Sequence, residues 1–513
     1  MVTMAINGKP PHFVLFPFLA QGHLIPAVDM AKLLAKRGVA VSILVTPENG
    51  KRVKPVVDRA IASGLSIRVF HLKLPGAEAG LPQGCENMDM LPSMEYGLSL
   101  FNATAMLREQ VEGLLVQLQP TCLVADMCFP WATDMALKLR IPRLVFHGTS
   151  CFSLVCMNIL QKSKIFEGVV CDRDYFVVSD QLPDRIEITK AQLMGTAAEI
   201  PPEWAQVRRQ MFESEDEAVG TVANTFQELE PQYIGKYIKE TGKKVWCIGP
   251  VSLCNMDDSD KAERGNKAAI DGHDCLKWLD SHEPDSVIYV CLGSISRLAD
   301  AQLIELGLGL EASNRPFIWV IRHARDEFES WLSEEKFEER IGGRGLLIRG
   351  WAPQVLILSH PSVGGFITHC GWNSTLEAVS AGMPMLTWPV FAEQFCNEKF
   401  IVNVIKTGIR VGVEVPVLLG MGDDIGGAVQ VMSDEVKMGI HKLMDGGEEG
   451  EERRERARKL AETAKSAVEE GGSSHLNITQ LIQDMVLLNA NYGEQSANGA
   501  KLDEEVCSEI VVQ

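Results

Sequence analysis

The chain has 513 residues, more than one hydrophobic core usually organises, so we expect two domains. Hydrophobic residues make up 46% of it, which is too many for a generally disordered chain. A formal net charge of −19 argues against nucleic acid and anionic membranes as main partners, because both select for basic surfaces.

The 13 cysteines are scattered singly, without a C-x-x-C pair or a Cys/His cluster at zinc spacing. This pattern indicates reduced thiols and a cytoplasmic protein. The first residues lack the basic flank and apolar core of a secretory signal, and no apolar run reaches the roughly 18 residues of a membrane span. We therefore expect a cytoplasmic monomer without a membrane span.

The first predicted elements form a β-α-β unit. Phe13–Phe16 is a short apolar strand, and Gln21–His23 is predicted as a loop. A helix follows in which Pro26 suits the first turn, and Val39–Val45 predicts the next strand. Such alternation is typical of a mostly parallel sheet with helices on both faces.

The same alternation recurs further along the chain. In the first half it gives a strand, a helix and a strand at Cys122–Ala125, Trp131–Leu139 and Arg143–Phe146. In the second half a strand at Val287–Cys291 is followed by a turn at Gly293-Ser294, then by a helix, and then by a strand at Phe317–Ile321. The fold class is therefore α/β, with two doubly wound units.

Residues 255–274 are polar and charged and lack an apolar period, which predicts a linker or surface loop. We expect an N-terminal domain over residues 1–252, a linker at 253–274 and a C-terminal domain at 275–470. A helix at 471–490 would pack back on the first domain, and the polar composition of 491–513 predicts a disordered tail. The cleft between two such domains suits a two-substrate reaction.

Two motifs point to other functions. Gly307-x-Gly309-x-x-Ala312 fits a dinucleotide fingerprint, but the helical pattern before it places the glycines inside a helix instead of after a strand. A nicotinamide-dependent oxidoreductase is therefore disfavoured. Asp258-Ser-Asp260 has the D-x-D form of a metal-binding triplet, but it lies in the acidic linker. We expect a solvated loop there, and no metal.

The most informative segment runs from Trp351 to Gln394. His369 follows a strand at Phe366–Thr368, and a helix is predicted from about Ser374 to Gly382. His369 and the first residues of the helix would then lie where unpaired backbone N–H groups and the helix dipole attract a phosphate.

Simpler structural interpretations of the same residues remain open. Ser374-x-x-Glu377 is a capping box that would stabilise the helix without any ligand. Trp351 and Trp372 could be ordinary core aromatics, and a histidine such as His23 could serve as a loop or capping residue. Each residue taken alone therefore leaves the function undecided.

Taken together, the Trp351–Gln394 positions resemble the signature box of plant secondary-product glycosyltransferases, family 1 enzymes with two facing Rossmann-like domains. The similarity extends from the His23 loop to Gly471-Gly-Ser-Ser474. Gly84–Asn87 and Phe391–Phe395 look like a subgroup acting on flavonoids, terpenoids and related aglycones. The resemblance implies a GT-B fold, a UDP-sugar co-substrate, and neither cofactor nor metal.

The resemblance also implies residue roles. Trp351 stacks on uracil and the Ala352 backbone reads its edge, while Gln354 and Glu377 bind the ribose hydroxyls. The remaining donor residues bind the diphosphate (His369, Asn373, Ser374 and Ser296) or the sugar (Trp372, Glu393 and Gln394), and Gly371 belongs to the same set. Many members carry Asp at the position of Glu393. Gln394 resembles the residue of glucosyl-transferring members, which makes glucose the expected sugar.

His23 and Asp126 are the expected catalytic pair, because the resembling family carries His and Asp at these positions. Each follows or ends a predicted parallel strand, so both should lie at the same sheet edge. His23 would take the proton of an acceptor hydroxyl, and Asp126 would orient the imidazole. The expected reaction is a single inverting displacement that gives a β-glycoside. The alternative is a non-catalytic UDP-sugar-binding protein on the same fold.

The acceptor side is less defined. Loops around Gly84–Met94, His147–Leu154 and Ile186–Trp204 should line it, and their Met, Phe, Leu and Cys side chains suit a bulky apolar aglycone. His147 is a candidate wall residue, or else structural. Flavonoid, triterpenoid and phenylpropanoid acceptors are all compatible with this composition.

Overall fold

The computed structural model describes residues 10–163, 165–193, 201–417 and 429–510, with side chains as far as residue 492. Two parallel β-sheets form its framework. The first has seven strands in the order β3-β2-β1-β4-β5-β8-β9, and the second has six in the order β12-β11-β10-β13-β14-β15. A small antiparallel pair, β6-β7, lies outside both.

The strands have the following bounds. The first sheet and the small pair contain β1 (His12–Phe16), β2 (Ala40–Val45), β3 (Ile67–His71), β4 (Cys122–Asp126), β5 (Arg143–His147), β6 (Tyr175–Val177), β7 (Glu187–Thr189), β8 (Gly220–Ala223) and β9 (Lys244–Cys247). The second sheet contains β10 (Val287–Cys291), β11 (Phe317–Ile321), β12 (Gly345–Arg349), β13 (Val363–Thr368), β14 (Met385–Thr387) and β15 (Gly408–Arg410).

The helices alternate with these strands. In the first half they are α1 (Gln21–Ala35), α2 (Pro47–Ala62), α3 (Gly97–Ala105), α4 (Arg108–Leu118), α5 (Trp131–Lys138), α6 (Cys151–Ser163), α7 (Pro202–Asp216), α8 (Pro231–Thr241) and α9 (Asp258–Ala262). In the second half they are α10 (Gly272–Asp280), α11 (Asp300–Ala312), α12 (Asp326–Glu334), α13 (Phe337–Ile341), α14 (Gln354–Leu358), α15 (Trp372–Ala381), α16 (Gln394–Lys399), α17 (Ser433–Leu443), α18 (Glu448–Val468) and α19 (Ser473–Ile510). Short 3₁₀ turns and one π-helical turn (Phe400–Val404) connect some of them.

Alternation along β1 shows how each sheet is covered on both faces. Phe13 and Leu15 pack into a core with α1 and α2, whereas Val14 and Phe16 point into a separate core on the opposite face. Successive strand residues point to opposite faces, so a strand with apolar residues at every position must be covered twice. The predicted α/β class with two Rossmann-like domains is confirmed.

One local prediction at the start of the chain is wrong. Gln21–His23 is not a loop but the first turn of α1, so Pro26 lies in the second turn. A proline there cannot donate to the carbonyl four residues earlier, which is that of Gly22. The Gly22 oxygen instead accepts a hydrogen bond from Asn373 Nδ2 at 2.5 Å, in the other domain.

The predicted linker is also more ordered than its composition indicated. Residues 258–262 form α9, and Asp260 accepts hydrogen bonds from Lys32 and from Arg59 Nε, the latter at 2.9 Å. Arg264 is buried, with 9% of its surface exposed. The polar residues of this segment bind other polar residues across the domain boundary, which is why their polarity does not indicate a solvated loop.

The glycines of the apparent dinucleotide fingerprint lie inside α11, as predicted. A Cβ on Gly307 would approach the Trp319 ring to 3.1 Å, and one on Gly309 would approach the Val436 side chain to 2.5 Å. Both positions therefore allow close packing of α11 against its neighbours, and they have no role in holding a nucleotide.

The last helix packs on the first domain. Leu481 and Met485 join the core beneath β9, and Trp246 Nε1 donates to Asp484 Oδ2 at 2.9 Å. The helix continues to Ile510, through residues for which a disordered tail was predicted, and only 511–513 fall outside the described residues. Residues 497–510 include Ala, Lys, Leu and Glu, all of which favour helix. None of the described helices is long and apolar enough to cross a bilayer.

Candidate active site

A cleft lies between the carboxyl ends of the two sheets, where open α/β folds place ligands. One wall carries the start of α1, including His23. The opposite wall carries the turn after β10, the segment at Trp351, the start of α15 and the residues before α16. All the predicted donor residues border this one cleft.

His23 and Asp126 lie in direct contact. Asp126 ends β4 beside β1, and its Oδ2 is 2.6 Å from Nδ1 of His23 on α1. The other carboxylate oxygen, Oδ1, accepts the Cys128 backbone N–H at 3.0 Å. Asp126 is fully buried, whereas 26% of the His23 side chain is exposed. With Nδ1 engaged, Nε2 is the ring atom left to exchange a proton with a ligand.

The surroundings of this pair favour its charged form. Burial acts to lower the pKa of His23, but Asp126, and to a smaller extent Glu393, outweigh it and hold the pKa above its ordinary value. Burial acts to raise the pKa of Asp126, but His23 and the Cys128 N–H keep it below the usual range. An imidazolium formed during proton transfer is therefore stabilised in place.

Aromatic side chains extend outward from His23. Phe18 meets the imidazole edge-on, with centroids 5.6 Å apart. Phe101 lies 4.7 Å from Phe18, and Trp204 lies 5.1 Å from Phe101. These side chains form a row of aromatic rings that begins beside His23. Phe18 and Phe101 were not singled out by the sequence, although Trp204 closes one of the predicted acceptor loops.

The start of α15 forms part of the cleft wall opposite His23. This helix begins at Trp372 with Gly371 as its N-cap, and no side chain caps it. The capping-box interpretation of Ser374 and Glu377 is therefore wrong, because the helix starts two residues earlier than expected and Ser374 lies within its first turn. Both side chains are available for other contacts at the cleft.

His369 is held between two glycines. A Cβ on Gly293 would lie 2.6 Å from its Nε2, and a Cβ on Gly371 would lie 2.3 Å from the same atom. Burial lowers the pKa of His369 to about 4, so the ring is neutral at pH 7. Its Nδ1 has no hydrogen-bond partner among the described residues. In the absence of a ligand His369 is therefore a neutral polar group at the cleft.

Trp351 borders both the cleft and the interdomain segment. The Arg322 guanidinium lies 4.6 Å from the centre of its ring, and a Cβ on Gly265 would lie 2.4 Å from the ring edge. Its Nε1 finds no hydrogen-bond partner within the described part of the chain. Ala352, which follows, is 6% exposed. The exposed face of this indole is a platform on which a planar base could stack.

Gln354, Ser374 and Glu377 form one hydrogen-bonded group. Gln354 Nε2 donates to Ser374 Oγ at 2.9 Å and to Glu377 Oε2 at 2.7 Å. The other oxygen of Glu377 accepts from Arg264, a residue that the sequence did not indicate. The two predicted ribose-binding side chains therefore lie together, and an unexpected cation joins them.

Trp372 and Asn373 are engaged with the first domain. Trp372 is 2% exposed, and its Nε1 donates to the Asn224 carbonyl at 2.7 Å. Asn373 donates to the Gly22 oxygen and accepts from Asn224 Nδ2 at 3.2 Å. In this state the indole N–H of Trp372 is consumed by a domain contact. The Trp372 side chain is therefore a buried aromatic at the domain boundary, and its role in sugar binding stays a prediction.

The remaining donor residues flank the same space. Ser296 is buried, and its hydroxyl has no partner among the described residues. Gln394 borders the cleft, and its Oε1 accepts the backbone N–H groups of Val390 and Phe391 at 2.8 and 3.1 Å. Burial raises the pKa of Glu393, and His23 partly opposes this effect.

On the acceptor side the predicted loops contribute unequally. His147 is 1% exposed, and its Nε2 lies 3.2 Å from Glu215, so it is a structural residue and not a wall of the cleft. Gly148, next to it, does border the cleft beside His23. Part of the Ile186–Trp204 loop, residues 194–200, lies outside the described residues.

Two family models match the chain. One is described as UDP-glucoronosyl and UDP-glucosyl transferase and matches residues 210–437. The other is described as the N-terminal domain of a glycosyltransferase and matches residues 12–253. The two matched regions cover both sheets and the segment between them.

Similar proteins come from plants. The chain is 52% identical over 487 residues to UDP-glycosyltransferase 73C12 of Barbarea vulgaris, covering 94% of this chain and 98% of that one. Its fold matches that of Glycyrrhiza uralensis UGT73P12, complexed with glycyrrhetinic acid 3-O-monoglucuronide, with a TM-score of 0.87 and 36% identity over 97% and 99% of the two chains. Medicago truncatula UGT71G1, complexed with UDP-glucose, matches with a TM-score of 0.74 and 25% identity over 93% and 98%.

Proposed function

Because the chain belongs to the plant family 1 UDP-glycosyltransferases, we propose that it moves glucose from UDP-glucose to a hydroxyl of an apolar plant aglycone. Transfer of a glycosyl group from a UDP-sugar is the activity of the family, and the choice of sugar and acceptor is the proposal. The observation that carries it is the His23–Asp126 pair facing the Trp351–Gln394 residues across one cleft.

The proposed reaction is a single displacement. His23 Nε2 takes the proton of the acceptor hydroxyl, and the oxygen forms a bond to the anomeric carbon. The bond from that carbon to the β-phosphate oxygen breaks, and its electron pair leaves with UDP. Attack from the face opposite the leaving group converts an α-linked donor into a β-glycoside. Asp126 keeps its negative charge and stabilises the imidazolium.

Charge on the departing UDP would be met without a metal. The N-terminus of α15 presents unpaired backbone N–H groups, and His369 adds a neutral ring beside them. The acidic triplet offers little to a cation, because Asp260 already pairs with Lys32 and Arg59. Among the described residues, His23, Asp126 and Cys128 could share an ion, but burial raises the pKa of the Cys128 thiol well above its ordinary value, which disfavours the thiolate.

Removal of divalent metals tests this part of the proposal. EDTA, followed by exchange into metal-free buffer, should leave the initial rate of UDP release unchanged within experimental error. Addition of Mg²⁺ or Mn²⁺ afterwards should not raise the rate. A rate that falls on chelation and returns with Mn²⁺ would contradict metal-independent transfer.

The glycine contacts of His369 give a second test. Gly293 has a φ of 92°, and its missing Cβ leaves room for the imidazole. Alanine at this position would be strained and would displace the ring, so Gly293→Ala should weaken UDP binding by about tenfold or more. Calorimetry with UDP measures the effect. Gly113→Ala in α4, where a Cβ meets nothing within 4 Å, is the matched control and should bind normally.

Sugar and acceptor are tested by a substrate panel. Purified protein is incubated with UDP-glucose, UDP-galactose or UDP-glucuronate and with flavonoid, triterpenoid and phenylpropanoid aglycones, and released UDP and products are measured. Glycyrrhetinic acid belongs in the panel because it is part of the UGT73P12 ligand. We expect the highest kcat/KM with UDP-glucose and a β-linked product. A preference for another UDP-sugar would overturn the glucose assignment.

A further inference from the structure

The segment between the two sheets contributes a charge to the nucleotide side of the cleft. Arg264 is buried and lies between two buried carboxylates. Its Nε donates to Asp29 Oδ2 of α1 at 2.8 Å, and its Nη1 donates to Glu377 Oε1 of α15. One guanidinium therefore bridges the first domain, the interdomain segment and the helix that carries the donor residues.

The contact with Glu377 fixes the geometry of that carboxylate. Arg264 holds one oxygen, and Gln354 Nε2 holds the other at 2.7 Å. A carboxylate has about four lone-pair sites, so each oxygen can still accept a hydroxyl. A buried carboxylate without a cation beside it is costly, and Arg264 supplies that cation to Glu377.

The other end of Arg264 is fastened to the helix that carries the catalytic base. Asp29 lies on α1, which also contains His23, and its Oδ1 accepts from Asn255 Nδ2 at 2.8 Å. Asn255 in turn accepts from Lys32, also on α1, at 2.8 Å. Burial acts to lower the pKa of Arg264, but Asp29 and Glu377 outweigh it, so the group stays positively charged.

We propose that Arg264 is a positioning residue for the ribose subsite: it orients Glu377 to accept the ribose hydroxyls and ties that carboxylate to α1. The inference rests on the proposed function, because Glu377 binds ribose only if the cleft takes a uridine nucleotide. It predicts that loss of Arg264 weakens recognition of the ribose hydroxyls more than recognition of uracil or phosphate.

The test compares nucleotides that differ only in the ribose. Dissociation constants for UDP, 2′-deoxy-UDP and 3′-deoxy-UDP are measured by calorimetry with the intact chain and with Arg264→Met. The intact chain should prefer UDP over at least one deoxy analogue by about 10-fold or more, because a hydrogen bond to a charged group is lost. Arg264→Met should weaken UDP binding and reduce this preference toward unity. Arg264→Lys, which keeps the charge but not the two-pronged geometry, should recover part of it.

The controls separate the two levels of the proposal. Arg340→Met removes an exposed arginine paired with Glu311 and should change neither affinity nor preference. If Glu377→Gln keeps the full preference for UDP, Glu377 does not bind ribose and the donor assignment fails. If Glu377→Gln loses the preference but Arg264→Met weakens all three nucleotides equally, Arg264 is merely structural and the inference is overturned. Should Arg264→Met not fold, an Arg264→Lys preference equal to that of the intact chain overturns it.

Discussion

Replacing His23 with alanine should lower kcat for sugar transfer by about 10²–10⁴-fold, the usual contribution of a positioned general base. The reason is geometric: Nδ1 is held by Asp126, so Nε2 is the only ring atom left to receive the acceptor proton. UDP affinity should change little, because the nucleotide contacts lie on the opposite wall. Steady-state rates at saturating UDP-sugar, together with calorimetry for UDP, separate the two quantities.

His273→Ala is the matched control for His23→Ala. His273 is exposed in the first turn of α10, and its ring has no part in the cleft. This variant should keep the kcat of the intact chain. If His23→Ala also kept that kcat while binding UDP normally, another group would have to be the base and the proposed mechanism would be wrong.

Asp126→Asn should be at least as severe, with an expected loss of about 10³–10⁴-fold in kcat, as for the equivalent change in a Ser-His-Asp triad. An asparagine can still accept the Cys128 N–H through Oδ1, but its NH₂ group would then face Nδ1 of His23. Nδ1 would become the acceptor and the ring proton would move to Nε2. The atom that must take the acceptor proton would already carry one.

The pH profile distinguishes this effect from a general loss of structure. His23 acts as a base only when neutral, so activity rises as pH increases through its pKa. In the intact chain Asp126 holds that pKa above its ordinary value against the effect of burial. In Asp126→Asn burial acts with only Glu393 to oppose it, so the acidic limb of kcat/KM should move to lower pH. Asp134→Asn, an exposed carboxyl on α5, should leave the limb in place. An unmoved limb in Asp126→Asn would contradict the pairing.

The framework was predictable because its signals are local. Val287–Cys291 and Phe317–Ile321 have the same bounds in the structure as in the sequence prediction. A short apolar run bounded by turn residues is typical of a buried strand. The same logic placed Asp126 and the segment after β1 at one sheet edge, whereas the pairing of Asp126 with His23 rested on the resemblance to the family.

The errors arose where partners are distant or boundaries ambiguous. Arg264 contacts Asp29 and Glu377, which are 235 and 113 positions away in the sequence. No local sequence pattern predicts such a contact. The capping box of Ser374 and Glu377 failed because a two-residue shift in the start of a helix changes which side chains can cap it. Phe18 was not singled out because an apolar residue just after a strand is typical of the core, and the sequence does not show that Phe18 contacts His23.

Pro26 cannot donate a hydrogen bond to the Gly22 carbonyl, and that carbonyl therefore connects the contact between the domains with the proposed base. Gly22 reaches across to Asn373, and the next residue along the helix is His23. A rotation of α1 away from the second domain would break the hydrogen bond between Gly22 and Asn373. The same rotation would move the His23 ring away from the acceptor hydroxyl. One turn of α1 thus carries both a contact between the two domains and the proposed base.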